Sequence, residues 1–371
     1  MNNTVMMFGI GSLGGWVLEF LARSEGINTI VACDAREDWG SMKTECAAIG
    51  AGQQGYNKTI KFEKCDVNDT DATAELIKKH NPDIIYSALT LLAWADWSFI
   101  SDAIGLSFHR SMACHTPAQL VMASKLMKAR KKAGITAPVL NNSFPDVVNP
   151  VLWRNGLGPM VGAGNLDIPV SEVRRKISVA ENVPIRDVTV YLITSHAIVP
   201  QGTKEGVPHL FKAMIGDKDI TNKLDVTSLL SDTLFRATPA DKAGWLAEPY
   251  IAASAVRNMK AFLNDTNEFA HSPGPNGLPG GYPIRIGSKG VKIELPEGIS
   301  LEEAIKINLD SLKCDGIEEI KDDGTVVLTD EAYKVQREFY GMDSREYRFA
   351  DMDDIAKELR VIVKKIAAKY G

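Results

Sequence analysis

Three glycines in the run GIGSLG, namely Gly9, Gly11 and Gly14, stand in G-x-G-x-x-G spacing between an apolar stretch, Val5 to Phe8, and a segment with apolar residues at Trp16, Leu18, Phe20 and Leu21. A strand that turns at once into a helix places distinct demands on each. Gly9 makes the tight turn, Gly11 lets the backbone approach a pyrophosphate, and Gly14 lets helix and strand pack closely. The helix that starts at Ser12 and Leu13 offers unpaired N–H groups to phosphate oxygens. Asp34 closes a second apolar run, NTIVACD, twenty residues after Gly14. A carboxylate there accepts from both hydroxyls of a ribose and repels a 2′-phosphate, which favours NAD over NADP. Arg36 nearby keeps NADP open, since an arginine can hold that phosphate. Asp66 and Val67 end a third strand-like run, either beside an adenine or simply at a strand end. The combination implies a dinucleotide site; a glycine turn that binds another nucleotide, or nothing, is the plainer alternative.

The second candidate is His196. The β-branched run Val188 to Ile193 delivers it into a short polar segment bounded by Pro200. An imidazole titrates near neutrality, so it suits proton transfer, provided other groups position it. Two upstream segments end in polar side chains. PVLNNSFPDVVNP closes a strand with amides, and VGAGNLDIPVSEVRRKI presents Asp167 at the start of a helix.

The elements that must hold these residues follow from periodicity. Strand-like runs at Val5 to Phe8, NTIVACD, TIKFEKCD and PDIIYSAL alternate with helical segments such as DTDATAELIKKHN, with Asp69 or Thr70 near its cap. This alternation predicts an α/β fold with a parallel, doubly wound sheet of Rossmann type and a ligand at the carboxyl ends of its strands. HTPAQLVMASKLMKARKKAG reads as a helix with Thr116 at the N-cap, Pro117 in the first turn and Gly134 as the stop. Short strands follow at APVLNN and PMVGAG, and YPIRIG and VKIELP read as a hairpin across SKG. Ile355, Leu359, Ile362 and Ile366 line one face of a final helix, free to pack on its own chain or on a second copy. The chain is long for one core, so two domains are expected: a dinucleotide-binding unit over 1–163 and a catalytic unit over 164–371.

The run from Asn142 onward resembles the lactate/malate dehydrogenase family. NNSFPDVVNPVLWRNGLGPMVGAGNLD is similar to that family's strand–NPxD–helix–GxGxLD segment, and RDVTVYLITSHAIVPQGTKEGVP to its histidine strand. SAVRNMKAFLNDTN and LPGGYPIRIGSKGVKIELP look like its later helix and hairpin, so the likeness covers roughly 140–313. The resemblance implies an α+β catalytic domain after the Rossmann domain, and a homo-oligomer, dimer or tetramer. It implies an NAD-dependent dehydrogenase acting on a small-molecule alcohol or carbonyl. In that scheme Asp167 pairs with His196, His196 exchanges the hydroxyl proton, and Asn142 holds the nicotinamide. Asp167 would fix the imidazole tautomer and favour the imidazolium. The first third looks more like extended short-chain or saccharopine-type reductases, although no tyrosine is followed four residues later by lysine.

The departures narrow the chemistry. Thr194-Ser195-His196-Ala197 replaces the family's G-x-H-G, and Val170 stands where the family has an arginine that forks onto the substrate carboxylate. Losing that fork removes the main reason to expect a 2-hydroxy acid and widens the expected substrates to a larger or uncharged hydroxy compound, a sugar or a sugar acid beside a hydroxy acid. Arg174, four residues on, shares a helix face with Val170 and is the candidate replacement, while Arg175 reads as a surface charge. Arg110, in HRSMACHTP, occupies about the interval of the family's carbonyl-polarising arginine, with His109 and His115 as neighbours. Trp94 and Trp97 either line a pocket or pack. Two further readings share this architecture: an NAD- and metal-dependent glycosidase, and a dinucleotide sensor without turnover.

Bulk properties set the context. A net charge of −5 gives no reason to expect nucleic acid or an anionic membrane as partner. Five cysteines, never in CxxC spacing, fit reduced cytoplasmic thiols without a zinc site. The apolar run Ile84 to Ala95 is too short to span a bilayer.

Overall fold

The computed structural model describes residues 3–92, 108–158, 160–238 and 242–370, with 108–111, 160, 243–244 and 369–370 described by backbone alone. The first third builds the expected alternation: β1 Thr4–Phe8, α1 Ser12–Ala22, β2 Thr29–Asp34, α2 Glu37–Gln53, β3 Thr59–Lys64, α3 Thr70–His80 and β4 Ile84–Ser87. Next come α4 Thr116–Lys132, β5 Val139–Asn141, α5 Pro145–Arg154 and β6 Met160–Gly162. The six strands form one parallel sheet in the order β3-β2-β1-β4-β5-β6. The order reverses between β1 and β4, the kind of switch point beside which open α/β sheets hold their ligands.

Both faces of this sheet are covered, which is why β1 reads as continuously apolar. Met6 and Phe8 point into a core shared with α3, α4 and α5. Val5 and Met7 point the other way, into a core shared with α1 and with α7 Glu248–Asn264. Asp69 caps α3 by accepting from Ala72 N at 2.9 Å. Thr116 is not the N-cap of α4 but its first helical residue, with Pro117 after it.

Beyond β6, α6 Asp167–Ala180 packs on the antiparallel strands β7 Val188–Ile193, β8 Leu210–Ile215 and β9 Lys218–Asp219 around Val173, Ile177, Val190 and Leu192. After α7, a second antiparallel sheet joins β10 Glu268–Pro273, β11 Gly281–Gly287 and β12 Gly290–Ile293. Its β11–β12 hairpin turns over Ser288 and Lys289, as expected. Helix α8 Leu301–Leu312, closed at its N-terminus by a Ser300–Glu303 capping box, leads into a 3-10 turn, Lys313–Asp315. A third small sheet, β13 Ile317–Ile320, β14 Val326–Leu328 and β15 Glu346–Tyr347, precedes α10 Met352–Tyr370, with α9 Asp330–Tyr340 between β14 and β15. Helix α10 lies on α4 of its own chain, with Leu359 buried and Ile355, Ile362 and Ile366 partly so. The first core thus runs from β1 to the last helix, on both sides of the division expected at residue 163.

Candidate active site

The glycine loop has no room for side chains where the turn is tight. Gly9 adopts φ +90°, and a Cβ on Gly14 would stand 1.9 Å from the Gly9 carbonyl oxygen. A Cβ on Gly11 would meet nothing, so the backbone there faces open space. Gly11 is the N-cap of α1 and supplies no side chain to its first turn. Asp34 braces the loop: its Oδ2 accepts from Ile10 N at 2.8 Å and its Oδ1 from Arg36 N at 2.9 Å. Burial would raise this carboxyl's pKa, but Arg36 and the Ile10 N–H outweigh it and hold it below the usual value. Asp66 is used locally, accepting from Asn68 N at 3.0 Å, and Val67 is buried in the core rather than offered to an adenine.

The loop after β5 is tied by its own amides. Asn141 Nδ2 donates to Ser143 O at 3.0 Å and to Asn149 Oδ1 at 3.1 Å, while Ser143 N donates back to Asn141 Oδ1 at 3.1 Å. The chain then passes through Phe144 at φ +41°, a left-handed conformation rare for a bulky residue. Asn142 donates to Ala163 O at 3.2 Å, and its buried Oδ1 has no hydrogen-bond partner among the described residues. Pro145 starts α5, which places Asp146 in its first turn, fully buried.

His196 follows β7 and is clasped from two sides. Its Nδ1 lies 2.9 Å from Asp315 Oδ1, and its backbone N donates to Asp146 Oδ1 at 3.0 Å. The Phe144 ring meets the imidazole edge-on at 5.5 Å between centroids. Asp315 has no exposed side-chain surface and is within reach of the Ser195 hydroxyl, which itself lies 2.8 Å from Ser311 Oγ. Burial alone would lower the His196 pKa; the charge and hydrogen bond of Asp315, with Asp146 behind, raise it above the ordinary value. Burial lifts the Asp146 pKa to about 6, with His196 pulling down and Asp315 pushing up.

The expected pairing of Asp167 with His196 is therefore not what the chain builds. Asp167 opens α6 as expected, but its carboxylate faces α7, where Arg257 forks onto it and Ser254 donates to it. A guanidinium matches both carboxylate oxygens, so Asp167 is satisfied within the interface between α6 and α7. Arg174 does not replace the missing fork either. Its Nε donates to Val188 O at 2.8 Å and its Nη2 to Ile185 O at 3.0 Å, which pins the start of β7. Val170 is buried in the core under α6. Arg110 and His109 lie on the 3-10 segment Phe108–His115, and their side chains fall outside the described residues, as do Trp94 and Trp97. His115 is buried 2.8 Å from the Tyr340 hydroxyl, and burial lowers its pKa to about 3.

Leu13, Asn142, Phe144, Asn165, His196 and Glu248 line one cavity of about 200 Å³. Leu13, in the first turn of α1, and the histidine thus open onto the same space, while Gly11 and Ser12 line a second cavity with Arg36, Trp39 and Lys43. Ile168, Val199 and Ile251 add apolar wall. Two carboxylates missed in the sequence, Asp146 and Asp315, are the ones at the histidine. Asp146 was visible as the acid of FPD, at the start of a helix after a polar strand end; Asp315 carries no local signal. Among the described residues no three His, Cys, Asp or Glu are grouped to hold a metal ion, and no helix is long and apolar enough to cross a membrane.

No protein-family profile matches the chain, and no curated protein matches it in sequence. Solved structures do match it. The malate dehydrogenase from Picrophilus torridus superposes with a TM-score of 0.62 at 17% identity, over 85% of this chain and 96% of that one. A lactate dehydrogenase from a Medee basin deep-sea metagenome library gives 0.60 at 16% identity, over 84% and 96%. The malate dehydrogenase from Aeropyrum pernix gives 0.57 at 15%, over 82% and 93%. The chain has the lactate/malate-dehydrogenase-like fold. These matches lend nothing to a likeness of the first third to saccharopine-type reductases.

Proposed function

We propose that the chain is an oxidoreductase that interconverts a secondary alcohol and its carbonyl with a nicotinamide dinucleotide, using His196 as the proton-exchanging group and Asp315 as its partner. The carrying observation is the shared cavity: an imidazole backed by a buried carboxylate opens onto the same space as Leu13, at the start of α1, and Asn142, whose buried Oδ1 has no partner among the described residues. The residues present suit a dinucleotide. The Gly9–Gly14 turn excludes side chains, Gly11 faces open space, and Asn142 Oδ1 lacks the amide donor that a carboxamide would bring. Asp34, beside the loop, favours the ribose of NAD over a 2′-phosphate. The hydride chemistry would come from the bound nicotinamide.

The chain's own part is positioning and proton transfer. Asp315 holds the Nδ1–H of His196, which leaves Nε2 to take the hydroxyl proton during oxidation and return it during reduction. Asp146 fixes the backbone of His196, and Phe144 limits rotation of the ring. The apolar wall of Ile168, Val199 and Ile251 excludes water and suits a hydroxy compound with an apolar flank. Assembly as a homo-oligomer belongs to the same proposal, and sedimentation velocity decides it.

The test is a panel of hydroxy acids, sugars, sugar acids and uncharged secondary alcohols, followed by NADH and NADPH absorbance. His196→Asn should lower turnover of any accepted substrate by about a hundredfold or more. Equal turnover by both proteins would remove His196 from the chemistry.

A further inference from the structure

Glu248 is the first residue of α7, and its carboxylate accepts from the hydroxyl of Ser12, the first residue of α1. One carboxylate therefore sits against the opening turns of two helices, both without a side-chain cap from their N-cap residues. Helix N-termini favour negative charge, and each first turn carries N–H groups without intrahelical acceptors. Glu248 also lines the cavity that Leu13, Asn142 and His196 share. Lys43, whose Nζ donates to Gly11 O at 3.2 Å, is the cation that partly offsets it.

We infer that Glu248 competes with the phosphates of a dinucleotide for the first turn of α1, and so sets the affinity of the site. This rests on the dinucleotide reading above and adds to it a residue of this chain that works against binding. The positive end of α1 and the Ser12 hydroxyl are what a pyrophosphate would seek beside Gly11. A carboxylate already held there must withdraw, and a like charge left close by costs affinity. The substitution Glu248→Gln keeps the size and the Ser12 contact without the charge.

Calorimetric titration with NADH and with ADP-ribose, which lacks the nicotinamide, tests this without turnover. Glu248→Gln and Glu248→Ala should both bind about tenfold more tightly than the unaltered chain, by the same factor for both ligands. Thermal unfolding of each variant checks that it is folded, and Glu248→Ala stands in if Glu248→Gln is not. If the unaltered chain binds and the variants bind equally or more weakly, the competition is refuted while the dinucleotide site stands. If neither ligand binds any of the three proteins, both readings fall.

Discussion

An imidazole hydrogen-bonded through Nδ1 to an ionised carboxylate keeps its proton to higher pH than a free one, and the sign of that shift is a handle on His196. Oxidation of an alcohol needs the neutral imidazole, so its rate should fall as pH drops through a midpoint above about 6.5, the ordinary histidine value. Asp315→Asn should move that midpoint to lower pH and cut turnover by a factor of about a hundred or more, read from kcat/KM profiles. The same raised value stabilises the fold fully below about 6.5, and that contribution fades as pH rises through the folded value. Asp167→Asn separates the two acids. It should leave the midpoint where it is and cost about 2 kcal/mol of stability in urea, because Arg257 loses its charged partner. A midpoint that followed Asp167 instead would return the histidine's partner to the residue expected from sequence. At this scale the glycines and His196 were legible because their neighbours along the chain explain them. Asp315 was not, since 119 positions separate it from His196 and only the folded chain makes them neighbours.

Among the elements, the helices with apolar stripes were readable and α2 was not. Its inward residues are Gly40, Thr44, Ala47 and Ala51, small side chains that let the helix sit close and leave almost no apolar period. Gly40 shows how close: a Cβ there would come within 2.2 Å of the Phe62 ring. Gly52, on the same helix, has nothing within 4 Å. The two should answer alanine with opposite signs. Gly40→Ala should destabilise by about 1 kcal/mol or more as Phe62 is pushed off, and Gly52→Ala should stabilise by about 0.5 kcal/mol through helix propensity, both measured by chemical denaturation. That the sheet is parallel and doubly wound was legible because strand and helix alternate in the first third; the order of its strands was not. The loop from Asn141 to Phe144 was legible only as a polar strand end; its closure by Asn141 and its left-handed Phe144 depend on bonds that spacing does not announce.

For the molecule as a whole, the last helix matters to the first strand. Leu359 is buried in the core that holds Met6 and Phe8, so Leu359→Ala should cost about 3 kcal/mol, seen as an earlier urea midpoint, with KM unchanged in the protein that remains folded. That α10 is amphipathic could be read from its isoleucines; that its apolar face meets α4 rather than another copy could not, because the stripe is the same in either case. The placement of the 3-10 turn Lys313–Asp315, between α8 and that C-terminal cover, sets an order in time as well as space. Translation completes the glycine turn early and the His196–Asp315 pair late. A nascent polypeptide stalled short of Lys313 would already own every glycine of its loop, yet carry an imidazole whose Nδ1 has no carboxylate to meet.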